Sequence, residues 1–297
     1  ANSCWTPAIA AAGDGRVAIA WDTYEKGDYD VWLREFDAGS APGEPKPAAT
    51  SPQYEARPAI TYDGQGRLWV CWEQSGPTWG KDWGALVKDK GIGLYRDRQI
   101  GLAILKNGQW MQPAAPFAGA LPGAGGARKR QLNVRVPPIE PGGESRKAGQ
   151  EAEASKNFTH NNLARIASDG AGRVWLFTRT RQNDIRTPLG SLWLNWAAYY
   201  DGEKWTGPLL VPHSDNLLYN TPVVVAQSHG ALAIVHSSDH RQSRTVVRRG
   251  AGGNLALESD NDPFDNDLYI SRVKATGSAK PAQLVAAKRE PGKDTAT

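Results

Sequence analysis

The sequence predicts an all-β chain, a β-propeller built from four-stranded antiparallel blades. Three observations lead there. Ala56 to Glu73, ARPAITYDGQGRLWVCWE, reads as strand, tight turn, strand, with Asp63-Gly64-Gln65-Gly66 supplying the turn because glycine reaches positive φ without a Cβ clash. That sentence is written four times: WTPAIAAAGDGRVAIAWD from Trp5, the Ala56 copy, NLARIASDGAGRVWLFTR from Asn162 and TPVVVAQSHGALAIVHS from Thr221. Each copy then continues into further strand-like segments, and a repeated four-strand unit is a propeller blade.

Each element follows from alternation and turn chemistry. In the second copy Leu68, Val70 and Trp72 alternate with Trp69, Cys71 and Glu73, so both phases of the return strand are largely apolar and both faces should be covered. The turns align as Gly13-Asp14-Gly15, Gly64-Gln65-Gly66, Gly170-Ala171-Gly172 and His229-Gly230, with Arg16, Arg67 and Arg173 after three of them. The outer strands are expected at Tyr29 to Phe36, then Ile100 to Leu105 with Gln109-Trp110, then Leu192 to Tyr200 with the strand around Trp205. In the last copy they are expected at Asp267 to Val273 and Gln283 to Val285. Gly39 to Pro52 reads as a Pro/Ala/Ser-rich connector.

The copies start at residues 5, 56, 162 and 221, intervals of 51, 106 and 59. The long interval, 113–161, reads as an elaborated loop with a short β-like piece at Gln131 to Val136 and one helical turn at Glu151 to Lys156; a decayed blade is the other reading, so five or six blades stay open. The propeller domain is placed at 1–286, with long loops at 74–99, 113–161 and 239–266 and a polar tail at 287–297.

Composition narrows the classes. Of 297 residues 40% are hydrophobic, and no apolar run approaches a membrane span. A net charge of +4, from 35 basic against 31 acidic residues, is no nucleic-acid signal. Twelve tryptophans and one methionine suit rigid sheet packing. Cys4 and Cys71 form no disulfide framework and no metal spacing; a bridge between neighbouring blades and two small buried thiols are the two readings.

Function is read from topology. Antiparallel strands A to D put the A–B and C–D turns at one end and the B–C and D–A connections at the other. The short turns fall at the first end and the long segments at the second, so binding groups are expected at the second. The B strands end there with Trp21-Asp22, Trp72-Glu73, Arg179 with Arg181, and His236 with Asp239 and His240. The A strands add Arg57, His160 with Asn161, and Asn220. Asp22 and Glu73 are the candidate catalytic carboxylates. Arg57, Trp72, His160, Arg179, Arg181, His236, Asp239 and His240 are the candidate ligand-binding residues, a set suited to a glycan or another polar small molecule. Packing between blades for the tryptophans, and capping or arginine pairing for the carboxylates, are the structural alternatives. No metal site or cofactor is expected: His236 and His240 share no helix, and the acidic run from Asp260 lacks calcium-loop spacing.

The pattern P-A-I-x-x-D-G-x-G-R-[VL]-W-[VL]-x-W, from Pro58 to Trp72, resembles the propeller of the sialidase-like superfamily. More closely the chain resembles the N-terminal propeller of bacterial multidomain proteins in which a PHP-type, metal-dependent phosphoesterase-like domain follows. The S-x-D-x-G-x-x-W boxes of sialidases are not intact here. The one-sided long loops lead to the expectation of a non-catalytic ligand-, carbohydrate- or partner-binding module of an exported protein, periplasmic or secreted, and the resemblance implies a downstream catalytic domain as partner. The alternative is a sialidase-like glycoside hydrolase using the rim carboxylates and arginines.

Overall fold

The computed structural model describes residues 3–287 apart from 26, 38, 40, 76–97, 118, 123–160, 184–190, 217–220, 241–244, 250–254 and 260–265. These residues are all-β, with no α-helix among them. The strands group into four sequential sheet units. The first holds β1 (Cys4–Ala11), β2 (Val17–Glu25), β3 (Asp28–Phe36) and β4 (Lys46–Ala49), and the second β5 (Tyr54–Tyr62), β6 (Leu68–Ser75), β7 (Gln99–Lys106) and β8 (Gln109–Pro113). A single parallel bridge, Tyr29 to Tyr54, joins these two in one nine-stranded sheet. The third holds β9 (Asn161–Ser168), β10 (Val174–Asn183), β11 (Ser191–Tyr200) and β12 (Trp205–Leu210). The fourth holds β13 (Val223–Ala226), β14 (Ala231–Ser238) and, after a separate hairpin of β15 (Thr245–Arg249) and β16 (Leu255–Ser259), β17 (Asp267–Lys274).

Two expectations are corrected. The segment around Leu284 does not complete the fourth unit. As β18 (Leu284–Ala286) it pairs antiparallel with β8, and the fourth unit keeps three strands. The chain reaches β8 as a strap across the third unit: Lys280 N–H donates to Asp201 O at 2.7 Å, Gln283 N–H to Gly202 O at 2.7 Å, and Tyr200 Oη to Gln283 O at 2.8 Å. Gly39 to Pro52 is not a bare connector either, since β4 lies inside it. The pieces expected at 131–136 and 151–156 lie outside the described residues.

The core is three layers, each between successive units. Ala18, Ala20, Val31 and Leu33 of the first meet Ile60, Leu68, Val70 and Trp72 of the second. Trp69, Cys71 and Ile104 of the second meet Ala164, Ile166, Val174 and Leu176 of the third. Ala167, Trp175, Phe177 and Ala197 then meet Leu232 and Ile234 of the fourth. The run Leu68 to Trp72 is thus buried on both faces, as its double apolar phase requires. Gly101 is fixed by contact: a Cβ there would sit 2.2 Å from the Trp72 ring.

At the turn end the first, second and third A–B turns carry Gly15, Gly66 and Gly172 at positive φ. Two of the turns are braced by a buried aspartate. Asp63 Oδ1 accepts from Gln65 and Arg67 N–H, and its Oδ2 from Arg67 Nε and from Trp69 Nε1 at 2.7 Å. Asp169 repeats this with Ala171, Arg173 and Trp175. Gly13, Gly64, Gly170 and Gln227, one from each unit, line a single cavity of about 640 Å³ that Lys280 borders. Turns from all four copies therefore converge.

Candidate ligand-binding face

The ends of the B strands are built around a repeated irregularity. The A strand of each of the first three units loses register: between Trp5 and Ala8, between Ala56 and Ala59, and opposite Phe177 to Arg179. Within each bulge one residue takes left-handed φ: Thr6 at 42°, Arg57 at 56° and Leu163 at 51°. For residues with a Cβ this is a strained conformation that survives only where neighbours enforce it.

The enforcing neighbours are two predicted carboxylates. Asp22 Oδ2 accepts from the Arg57 backbone N–H at 3.0 Å, and its Oδ1 accepts from Thr6 Oγ1 at 2.5 Å. Glu73 Oε1 accepts from the Leu163 backbone N–H at 2.6 Å, and both its oxygens lie 3.4 Å from Arg57 Nη1. Each carboxylate thus ties its own unit to the bulge of the next. Both are buried, at 2% and 1% exposure. Arg179 carries the network onward: its Nε donates to Asn162 Oδ1 at 3.2 Å, and its guanidinium lies 3.9 Å from the centre of the Trp193 ring.

Aromatic side chains flank this network. Trp5 and Tyr24 are exposed, and Tyr29 packs against both, with ring centres 5.8 and 4.9 Å away. Tyr54 follows at 5.5 Å, and the Arg98 guanidinium lies 3.6 Å from its ring centre. Burial raises the Tyr54 phenol pKa well above its usual value, and the charge of Glu73 raises it further. Burial, then the charge of Asp22, also raises the Tyr29 pKa. Both phenols stay protonated at neutral pH. The Arg57 side chain, 35% exposed, reaches water beside them.

The predicted residues of the fourth unit gather elsewhere. His236 stacks on Tyr269 with ring centres 5.8 Å apart, His213 stacks at 5.1 Å, and Tyr269 Oη lies 2.9 Å from His240 Nε2. His240 Nε2 also lies 2.8 Å from Asp267 Oδ2. Asp239 is buried with its N–H on Asp215 O at 3.3 Å. Burial lowers the His236 pKa, so this imidazole is neutral near pH 7.

The structure therefore brings Asp22, Arg57 and Glu73 into direct contact and links Arg179 to them through Asn162 and Leu163. It groups His236 and His240 separately. It turns Trp72 into the layer between the first two units, over Gly101. Arg181 is exposed, and His160 and Asn220 lie outside the described residues. Sequence reasoning missed Tyr29, Tyr54, Arg98, Asn162, Trp193 and Tyr269. Tyr29 and Tyr54 carried the available signal, each opening a strand at the end where the B strands finish. Cys71 is buried, its thiol pushed up to about 12 by burial, Cys4 is exposed, and neither forms a disulfide, which corrects both the bridge and the reading of two buried thiols. Among the described residues no group of histidine, cysteine and acidic side chains could hold a metal, and no helix is long and apolar enough to cross a membrane.

No family model matches the chain, and no curated protein matches it. It is similar to solved structures. A Hadza microbial sialidase is 14% identical with a TM-score of 0.49 over 86% of this chain and 46% of that one. A protein of unknown function from Dyadobacter fermentans is 13% identical with a TM-score of 0.46, over 87% of this chain and 69% of that one. A glycosyl hydrolase from Bacteroides ovatus is 10% identical with a TM-score of 0.40, over 92% and 71%. The chain spans less than half the length of the sialidase.

Proposed function

We propose that the protein is a β-propeller module that binds carbohydrate, in particular an acidic oligosaccharide, on the face formed by its B-strand ends, without catalysis of its own. The observation that carries this is a division of labour between neighbouring side chains. Asp22 and Glu73 are buried and hold the bulges of the next unit, so neither oxygen pair is presented to a substrate as an acid or nucleophile. Trp5, Tyr24 and Tyr29 group their rings, and the Arg57 guanidinium, paired with Glu73, stays partly exposed at the same place. Flat apolar faces with a few fixed polar groups are the chemistry of a sugar site.

The test is calorimetry and a glycan array with neutral and acidic oligosaccharides. Trp5→Ala or Arg57→Ala should weaken binding about tenfold, roughly 1.4 kcal/mol. Absence of binding to every sugar overturns the reading. A second reading, a sialidase-like glycoside hydrolase, is favoured by the meeting of Asp22 and Glu73 on one residue, Arg57. It predicts turnover of chromogenic glycosides that disappears in Asp22→Asn or Glu73→Gln while the fold persists. The proposal further places the module in an exported multidomain protein beside a catalytic domain; cell fractionation that finds it in the cytosol removes that part.

A further inference from the structure

The layer between the first and second units is hollow at its outer edge. On one side β4 is four residues long and ends in Ala48 and Ala49, and on the other the second unit presents Gly101 and Ala103. These small residues border a cavity of about 400 Å³, within the range of small-molecule sites. The matching edge of the next layer is filled. Ala120 and Leu121 are buried there, and Ala120 lies so close to Gly207 that a Cβ on that glycine would clash with it.

The wall carries a small set of polar groups. Trp72, 8% exposed, lines the cavity together with Gly101, and the indole edge that bears Nε1 is the part lying over Gly101. That Nε1–H is buried with no acceptor among the described residues, and a buried donor left unpaired is costly. Gln74 and Gln112 add half-buried amides. Glu55, opposite Gln74 in the register, adds a buried carboxylate that accepts from Ser51 N–H at 2.8 Å and from Ser51 Oγ at 2.7 Å. Trp110 and Phe117 supply aromatic surface. Among the described lining residues there is no arginine, lysine or histidine, so an anion would meet the Glu55 charge with nothing to offset it. Aromatic surface interleaved with an N–H donor, amides and a carboxylate matches a neutral polyhydroxylated ring. The C–H face of such a ring lies on an aromatic side chain, and its hydroxyls both donate and accept. We propose that this cavity is a second ligand site that takes a neutral sugar, free or as the end residue of a longer chain, with Trp72 Nε1 donating to one of its oxygens. Glu55 and Gln74 adjoin Tyr54 and Glu73 in sequence, but strand alternation turns them the other way, so the site is separate from the face of Asp22, Arg57 and Glu73. The choice of a sugar among neutral polyols rests on the proposed carbohydrate function.

The experiment is titration calorimetry of the chain with glucose, galactose, mannose and xylose at millimolar concentration, and with glucuronate and galacturonate as charged counterparts. At least one of the neutral sugars should bind, and glucose or galactose, if bound, about tenfold or more tighter than its uronate. Trp110→Ala and Gln112→Ala should each weaken that binding about tenfold or more. Circular dichroism and the melting temperature check the fold. Gln112→Ala takes no ring out of the layer, so it carries the test if Trp110→Ala is destabilised. An acidic oligosaccharide bound at the B-strand ends should not displace the neutral sugar. The proposal is overturned if no neutral sugar binds, if binding is indifferent to Gln112→Ala, if the uronate binds equally well, or if the acidic oligosaccharide competes. Acidic-oligosaccharide binding that Arg57→Ala weakens, without binding of any neutral sugar, removes this site and leaves the proposed function standing. Neutral-sugar binding that Gln112→Ala weakens, without binding of any acidic oligosaccharide, removes the B-strand-end face and leaves this site.

Discussion

The two ends of the sheet units use buried carboxylates in opposite ways. At the turn end Asp63 and Asp169 work inside their own unit. Each closes a turn of its own hairpin and binds an arginine four residues on and an indole six residues on. At the other end Asp22 and Glu73 work between units, each accepting the amide of a strained bulge in the next. The first arrangement makes a hairpin stable by itself, and the second fixes how one hairpin sits on its neighbour. The face that resembles a binding site is the one whose geometry depends on assembly.

The largest expected effect tests the local half of this contrast. Asp169→Ala leaves the Arg173 guanidinium and the Trp175 N–H buried without their carboxylate and should cost about 3 to 5 kcal/mol in urea or thermal unfolding. Asp14→Ala, whose side chain is exposed beside Arg16, should leave stability unchanged. Equal losses in the two variants would mean that the buried bracing has no special weight.

A smaller effect tests the assembly half. Glu73→Gln keeps an acceptor for the Leu163 amide and removes the charge facing Arg57, so it should cost about 1 kcal/mol. Glu73→Ala leaves the amide without its acceptor and should cost about 1 to 3 kcal/mol while loosening the bulge, read as faster amide exchange at Leu163.

Thiol titration sharpens the comparison at little energetic expense. In the native protein Cys4 should react with a disulfide reagent at neutral pH. Cys71, buried with its pKa raised to about 12, should react only after unfolding. Two fast thiols in the native state would mean that the layer between the second and third units opens readily.

The smallest effect concerns His236. Its folded pKa lies below the ordinary 6.5 because burial disfavours the charged ring. The unfolded chain therefore takes up the proton first, and the stability this residue contributes is present above pH 6.5 and lost as pH falls toward the folded value. His236→Gln should flatten that part of the stability–pH curve.

Much of the fold was legible. The glycines and arginines of the repeated turns located all four hairpins, because a turn needing positive φ leaves few residue choices. The buried aspartates were visible as letters, but their bracing role was not, since Ala12 and Gln227 replace them in the first and fourth copies. Thr6, Arg57 and Leu163 occupy the same position in three successive bulges with nothing chemical in common, so no single-residue pattern could mark it. The destination of β18 was equally hidden, because alternation in Leu284 to Ala286 reads the same whichever edge receives it. The candidate site was legible in part. Asp22, Arg57 and Glu73 were found from strand ends, whereas Arg98 over Tyr54 depends on a contact across the second unit.

The strap that delivers β18 to β8 has a consequence for biosynthesis. The outer edge of the second unit is translated by Pro113, yet its last partner emerges from the ribosome only with Ala286. Until then that edge offers unpaired peptide groups to any extended segment nearby. Nascent chains stalled before residue 284 should therefore be the most prone to aggregate and the most dependent on chaperones, even though all four hairpins have already been made.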